Sequence, residues 1–372
     1  MQDMNKKQRY ERQIVLPEIG QKGQKKISNA SVLCIGAGGL GCPALLYLVA
    51  AGVGHVGIVD FDTVDETNLQ RQVLFTVDQI GQNKAVAAKE RLNALNSEIK
   101  IQAYAEELND KNAEDLFRQY DIIIDGTDNF SAKFLINDVA VKIGKPFVYA
   151  SILGFDGQVA VFNYDGGPCY RCLFPEAPKT YVPNCAEAGV IGAVAGMIGT
   201  AQAMEALKII VGHDSFQPLA GKLWTIDMHS MENKLLSLPK NLDCPTCSQA
   251  KDKITLQYSS SVCGVIPEVT PEQAKKNEGA LIIDVRETEE WGAGHIHDAK
   301  HIALSTLMQG TIPDLPTDCE IILYCQKGKR GEHAAQILKT QGYLNVNNMV
   351  GGYEAWLSDH SPPVEKKTSR NI

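Results

Sequence analysis

Three groups of residues in this chain have types and spacings that could do chemistry. The first is Gly36-Ala37-Gly38-Gly39-Leu40-Gly41. Glycine at positions such as Gly38, Gly39 and Gly41 lets a backbone turn tightly and approach a phosphate. A helix opening there offers free N–H groups and the positive end of its dipole. Asp60 ends the next apolar run, HVGIVD, and is placed to accept from ribose hydroxyls. Alone, this pattern predicts a nucleotide and fits an NAD-dependent oxidoreductase. The residues after Asp60 do not look like those of a dehydrogenase. The stretch 60–71, DFDTVDETNLQR, gathers carboxylates, Asn68 and Arg71 just past a strand end. Lys84 opens the next helix, and Asp128 and Asn129 come after the apolar run DIIID. Cations there would neutralise a phosphoryl group in transfer, and a carboxylate would hold Mg²⁺. Each charge taken singly reads as a solvated loop residue. Together, at the strand ends of one sheet, they read as a site for a triphosphate.

The second group is Cys169-x-x-Cys172 with Cys244-x-x-Cys247. Four thiolates suit tetrahedral Zn²⁺ and leave no open coordination position, so the expected zinc is structural. The 71 residues between the pairs exclude a compact finger. Zinc would instead staple a distant segment onto the first domain. The competing reading is a redox CxxC or buried unpaired thiols.

The third is Cys325, in Tyr324-Cys325-Gln326-Lys327-Gly328-Lys329-Arg330-Gly331. The segment lies between a buried strand and a helix. Its glycines and cations can turn backbone N–H groups inward as an anion nest, and the helix N-terminus favours a thiolate. The expected role is a nucleophile that carries an anionic adduct, against the alternative of an inert buried thiol. Cys185 precedes a long apolar helix, where a reactive and a structural role are both open. Cys34, Cys42, Cys263 and Cys319 have no such context and read as bystanders.

Placing these residues requires two α/β domains. The 372 residues carry a net charge of −8, with 44% apolar and 22% charged. That is ordinary globular composition, and it argues against a nucleic-acid or membrane-surface binder. Ten cysteines are too few for a disulfide scaffold. The polar start MQDMNKKQRYERQ is not a signal peptide, so a cytoplasmic location is expected. The most apolar stretch, from Ala188 to Val211, is broken by polar residues and reads as a buried helix, not a membrane span. Strands are expected at 31–36, 55–60, 99–103, 121–125, 146–150 and 157–163. Helices fall between them, from 43, 83, 110 and 132. This alternation implies a doubly wound, mostly parallel sheet covered on both faces, with ligands at the carboxyl ends of its strands. After a Ser-rich linker at 251–270, Pro271 opens a helix capped by Thr270. Strands at 280–285 and 320–324 and a helix at 331–341 then give a smaller α/β domain. The expected limits are 1–250, 271–362 and a disordered tail at 363–372.

Residues 8–250 resemble the bacterial adenylyltransferases that activate ubiquitin-like sulfur carriers in the molybdopterin-synthase and thiamine branches, relatives of ubiquitin-activating enzymes. The stretches that carry the likeness are RYERQIVLPEIG (9–20), GAGGLGCP (36–43), VDFDTVDETNLQRQ (59–72), GQNKA (81–85), DGTDN (125–129) and the two CxxC pairs. Residues 271–358 resemble a rhodanese domain through DVRETEEWGAGHI (284–296), CQKGKR (325–330) and GGYEAW (351–356). The whole is similar to fused adenylyltransferase–sulfurtransferases.

The resemblance implies roles residue by residue. The family's phosphate turn falls on Gly39 and its ribose acid on Asp60. Its ATP-contacting Asn and Arg fall on Asn68 and Arg71, and Lys84 completes the phosphate clamp. The Mg²⁺ carboxylate falls on Asp128. A second Arg, which reaches ATP from the other subunit of a homodimer, falls on Arg12. The zinc ligands are the four CxxC cysteines, the acyl-acceptor cysteine falls on Cys185 and the persulfide cysteine on Cys325. A six-residue loop from Cys325 to Arg330 suits sulfur rather than phosphate substrates. Partners implied are a carrier ending in Gly-Gly and a sulfur donor such as a cysteine desulfurase or thiosulfate. Two rivals remain at this level: an NAD-dependent oxidoreductase fused to a thiol domain, and a non-catalytic scaffold for a ubiquitin-like protein. Neither explains why Arg71, Lys84 and Asp128 should converge.

Overall fold

The apolar runs SVLCI, HVGIV and IIID form strands here because both of their faces find apolar cover. The computed structural model describes residues 8–176, 189–256, 266–277, 279–308, 310, 313–317 and 319–358. They form two compact units that divide between residues 256 and 266.

In the first unit, β1 (Ser31–Ile35), β2 (His55–Val59), β3 (Lys100–Tyr104), β4 (Ile122–Asp125) and β5 (Phe147–Leu153) pair in parallel. β6 (Asp156–Phe162), β7 (Lys222–Asp227) and β8 (Glu232–Ser237) extend the sheet antiparallel. The order is β3-β2-β1-β4-β5-β6-β7-β8. The sheet is thus mostly parallel as expected; β6 is the strand expected at 157–163, whereas β7 and β8 are not among the expected strands. β8 (ENKLLS) is exposed along its whole length, so it carries no burial period to read.

Alternate residues of the parallel strands feed two cores. Val32 and Cys34 of β1 and Ile122 and Ile124 of β4 face one. Leu33 and Ile35 of β1 and Ile123 of β4 face the other. The helix Gly192–Val211 lies in the first core. It is the helix, among those described, long and apolar enough to cross a membrane by composition. Here it is instead a core element: its buried Gln202 amide donates to Asp125 O at 2.8 Å and to Val148 O at 3.0 Å. The expected helix from 43 starts earlier, as Gly41–Ala51, and that expected from 132 is Phe130–Ile143.

The second unit is a five-stranded parallel sheet. Its strands are β9 (Glu268–Val269), β10 (Leu281–Asp284), β11 (Lys300–His301), β12 (Ile321–Tyr324) and β13 (Val346–Met349), ordered β11-β10-β12-β13-β9. The helix Pro271–Lys276 opens as its sequence requires, with Thr270 and Gln273 exchanging side-chain and backbone hydrogen bonds in a capping box. The helix expected at 331–341 begins two residues early, as Lys329–Thr340, so it takes in the last two residues of the CQKGKR loop. GGYEAW runs into the helix Gly352–Ser358. Within the expected linker, 251–253 form one 3-10 turn and Glu268–Val269 form β9. Residues 257–265 and the expected tail at 363–372 lie outside the described residues.

Candidate functional site

β1 and β4 are neighbours, yet the chain leaves β1 toward β2 on one side and reaches β4 on the other. That makes their carboxyl ends the switch point of the sheet, where such folds bind ligands. The two loops that leave this point are the Gly36–Gly41 turn and residues 126–129. They press together so closely that a Cβ on Gly36, whose φ is +88°, would sit 2.8 Å from Gly126 O. A Cβ on Gly41 would sit 1.9 Å from Gly36 O. These are glycines because of backbone crowding, and the crowding builds the phosphate turn. The helix Gly41–Ala51 starts with no side-chain cap; Cys42 N donates to Gly38 O and Ala44 N to Leu40 O, so the backbone of the turn itself takes these first N–H groups. Cys34 and Cys42, the expected bystanders, brace the turn from beneath by donating to Gly36 O and Ala37 O. Burial pushes the Cys42 thiol up to about 12, so it is inert at neutral pH.

Asp60 is buried just past β2. One of its carboxylate oxygens accepts from Ala37 N at 2.7 Å and the other from Asp62 N at 2.9 Å. Burial lifts the carboxyl above its usual range, and these N–H groups pull it back. The acid therefore shapes the turn. Lys84 is buried, and its Nζ lies 3.0 Å from Asp62 Oδ2. Asn83 fixes that arrangement. Its Oδ1 caps the helix Lys84–Leu95 at Val86 N, and its Nδ2 donates to Asp60 O and Asp62 O. Asn68 ends the 3-10 turn Glu66–Asn68, which the Asp65 side chain caps. Asn68 O accepts from Arg71 N. The Arg71 stem lies against Gly39, with its Cγ 3.6 Å from where a Cβ would be, and its Nη1 donates to Thr67 O.

Asp128 and Asn129 are exposed at the start of the helix Phe130–Ile143. Asn129 Oδ1 caps that helix at Ala132 N, 2.8 Å away. Two residues that sequence reasoning missed hold this loop. Lys133, one turn into the helix, donates to Asp125 Oδ2 (2.8 Å), Thr127 O (2.9 Å) and Ala150 O (2.8 Å). Asp125 in turn accepts from Thr127 N and Thr127 Oγ1. The signal that could have found them is an acid ending a buried strand with a Lys one turn into the next helix. Short contacts thus chain Gly39, Arg71, Asp60, Lys84 and the 126–129 loop around one mouth. Arg12 is exposed on the short helix Glu11–Ile14, and no contact among the described residues joins it to that mouth. Cys185 lies outside the described residues.

The four CxxC cysteines converge. Their Sγ atoms all lie within 4.8 Å of one another, with Cys169–Cys244 and Cys172–Cys247 both at 3.5 Å. A tetrahedron with zinc–sulfur bonds of about 2.3 Å has edges of about 3.8 Å, whereas a disulfide needs about 2.05 Å. The donor set therefore fits zinc. Burial raises Cys169, and burial with the facing thiols pushes Cys247 up to about 12. Thiolates packed this closely need a cation among them.

In the second unit, Cys325 is buried at the carboxyl end of β12, and Gly328 N donates to its Sγ at 3.1 Å. The backbone of Gly328, at φ +98°, turns that N–H inward as the loop composition suggested. Arg330 makes a two-pronged pair with Glu290, at 2.7 and 2.8 Å, which holds its guanidinium at the end of the loop. Arg286 forms a buried pair with Asp284 at 2.7 Å and donates to Gln326 Oε1 at 3.1 Å. The GGYEAW segment closes on the loop: a Cβ on Gly352 would lie 2.1 Å from Cys325 O.

A glycine- and cation-lined mouth at the switch point, a four-thiol cluster and a loop-borne cysteine on a parallel sheet go with the class the chain's relatives define, the ATP-using adenylyltransferase and sulfurtransferase enzymes. The chain belongs to the ThiF family, whose model matches residues 10–246, and it carries a Rhodanese-like domain at 270–359. It is 39% identical to the "Probable adenylyltransferase/sulfurtransferase MoeZ" of Mycobacterium tuberculosis, over 95% of this chain and 93% of that protein. It is 45% identical to the "Sulfur carrier protein adenylyltransferase" of Thermus thermophilus, over 69% of this chain and 96% of that one. The crystal structure of E. coli MccB with MccA-N7isoASN shares the fold at a TM-score of 0.59 and 24% identity, covering 65% of this chain and 75% of that one.

Proposed function

We propose that this protein adenylates the C-terminal glycine of a ubiquitin-like sulfur carrier and then converts it to a thiocarboxylate. The observation that carries the reading is the packing of Gly39 against Arg71, with Asp60 pinning the same turn and Lys84 held through Asp62. The reading is supported by the glycines and cations that three separate segments bring to one sheet's switch point. The carrier's carboxylate oxygen attacks the α-phosphorus of ATP. A P–O bond forms, the bond to pyrophosphate breaks, and an acyl-adenylate results. Gly38, Gly39 and Gly41 receive the phosphates, Asp60 and Asn68 take the nucleoside side, and Arg71 and Lys84 stabilise charge on the phosphates. Asp128, with Asn129 beside it, would hold Mg²⁺, which supplies further charge neutralisation. In a homodimer, exposed Arg12 would serve the neighbouring subunit's nucleotide.

Cys325 accepts sulfane sulfur as a persulfide from a donor such as a cysteine desulfurase or thiosulfate. The outer sulfur attacks the acyl carbon and AMP leaves. A thiol then cleaves the S–S bond of the acyl disulfide and frees the thiocarboxylate, and Cys185 is the residue assigned to a covalent intermediate. Cys169, Cys172, Cys244 and Cys247 would hold zinc, which supplies folding free energy and no reaction step. The reading includes a cytoplasmic location and, from the resemblance to the carrier-activating branches, a molybdopterin- or thiamine-type pathway.

The test is incubation with candidate carriers, ATP and a sulfur donor, read by intact-mass spectrometry for one oxygen-to-sulfur exchange at the carrier's C-terminus. Pyrophosphate released without a carrier, or no thiocarboxylate with any Gly-Gly carrier, would count against the reading.

A further inference from the structure

The two cysteine pairs are distant in sequence, so four thiols meet only if something holds both loops to one surface. A single carboxylate does this. Asp138 lies in the helix Phe130–Ile143 and is 5% exposed. Its Oδ1 accepts from Arg171 Nε and its Oδ2 from Arg171 Nη2, each at 2.8 Å. Arg171 stands between Cys169 and Cys172. The same Oδ1 accepts from Thr246 Oγ1 at 3.2 Å, and Thr246 stands between Cys244 and Cys247. Adjacent Asn137 is fully buried, and its Oδ1 accepts from Tyr170 N at 2.7 Å. One helical turn therefore grips a residue inside each pair.

We infer that Asp138 is the positioning residue of the four-cysteine centre. It is not one of the four candidate ligands. It orders both ligand loops in advance, so that the cation does not have to, and partners of this kind are worth about 10- to 100-fold in metal affinity. The grip also ties the centre to the nucleotide mouth, because the same helix carries Lys133 and is capped by Asn129. The inference rests on the zinc reading of the cysteines and is independent of adenylation.

The experiment measures zinc content and the rate of zinc release from the full-length chain into a chromogenic chelator. Asp138→Asn should release zinc about 10- to 100-fold faster, and Thr246→Val should shift in the same direction by less. Thr246→Val carries the test if Asp138→Asn does not fold. The cobalt-substituted variants should keep the charge-transfer bands of four thiolates. Leu92→Ala, which empties the core on the opposite face of the sheet, should release at the wild-type rate. Release from both clamp variants at the wild-type rate, or equally fast release from Leu92→Ala, overturns the inference. A wild-type chain that holds no zinc overturns the reading of the cluster itself.

Discussion

The Lys133 ammonium lies 2.8 Å from the Asp125 carboxylate, and both side chains are shut away from water where β4 ends. The same ammonium reaches the backbone of residue 127 and of β5, so one cation joins the Asp128 loop to two strands. Removing one member of such a pair strands the other charge in a low-dielectric site. Lys133→Met should therefore cost about 3–5 kcal/mol of stability. Denaturant unfolding of the full chain, following the first transition, checks this. Replacing both residues, as Asp125→Leu with Lys133→Met, should recover part of the loss. A single variant as stable as wild type contradicts the pairing.

The Gly36–Gly41 turn offers a sterically sharper case. A methyl group on Gly41 would have to occupy space 1.9 Å from a carbonyl oxygen. Gly41→Ala should displace the turn and abolish ATP binding while the second unit keeps its sulfurtransferase activity. Calorimetric titration with ATP·Mg²⁺ and a thiosulfate sulfurtransferase assay read the two halves separately.

The two chemistries should also separate by mutation. Arg71→Ala or Asp128→Ala should lower carrier-dependent ATP–pyrophosphate exchange by about 10²- to 10³-fold. Cys325→Ala should leave exchange intact and block sulfur transfer. Exchange that survives both charge deletions refutes the clamp, and exchange lost with Cys325 refutes two independent sites.

His333 predicts a pH effect in the second unit. Burial pushes its imidazole down to about 4 from an ordinary value of 6.5. Between these values the unfolded chain binds a proton that the folded chain does not, so stability rises with pH across this window. The unit should be fully stable above 6.5 and lose stability progressively toward 4. Thermal unfolding followed from neutral to acid pH should show this slope, and His333→Gln should flatten it.

Much of this molecule is legible in its residues. The alternation of apolar runs with helices announces a mostly parallel sheet, and the glycines after β1 announce the turn, because local sterics and burial period depend only on neighbours in the chain. The two CxxC pairs can be read as one cluster, since four thiols have few other stable uses. The start of the helix Lys329–Thr340 is hard to place because the loop glycine at 328 hides a helix that begins immediately after it. β7 and β8 are not legible, since a partly exposed antiparallel edge has no strict period.

What the sequence by itself determined was the set of chemical groups and the elements that carry them. Which groups meet was decided only by tertiary structure. Asp125 with Lys133, Asp60 with Ala37, and Asp138 with Arg171 and Thr246 are pairings across loops and strands. Each buried polar atom must find a partner, but a chain read in one dimension offers many partners, and only packing at the sheet's carboxyl edge selects among them.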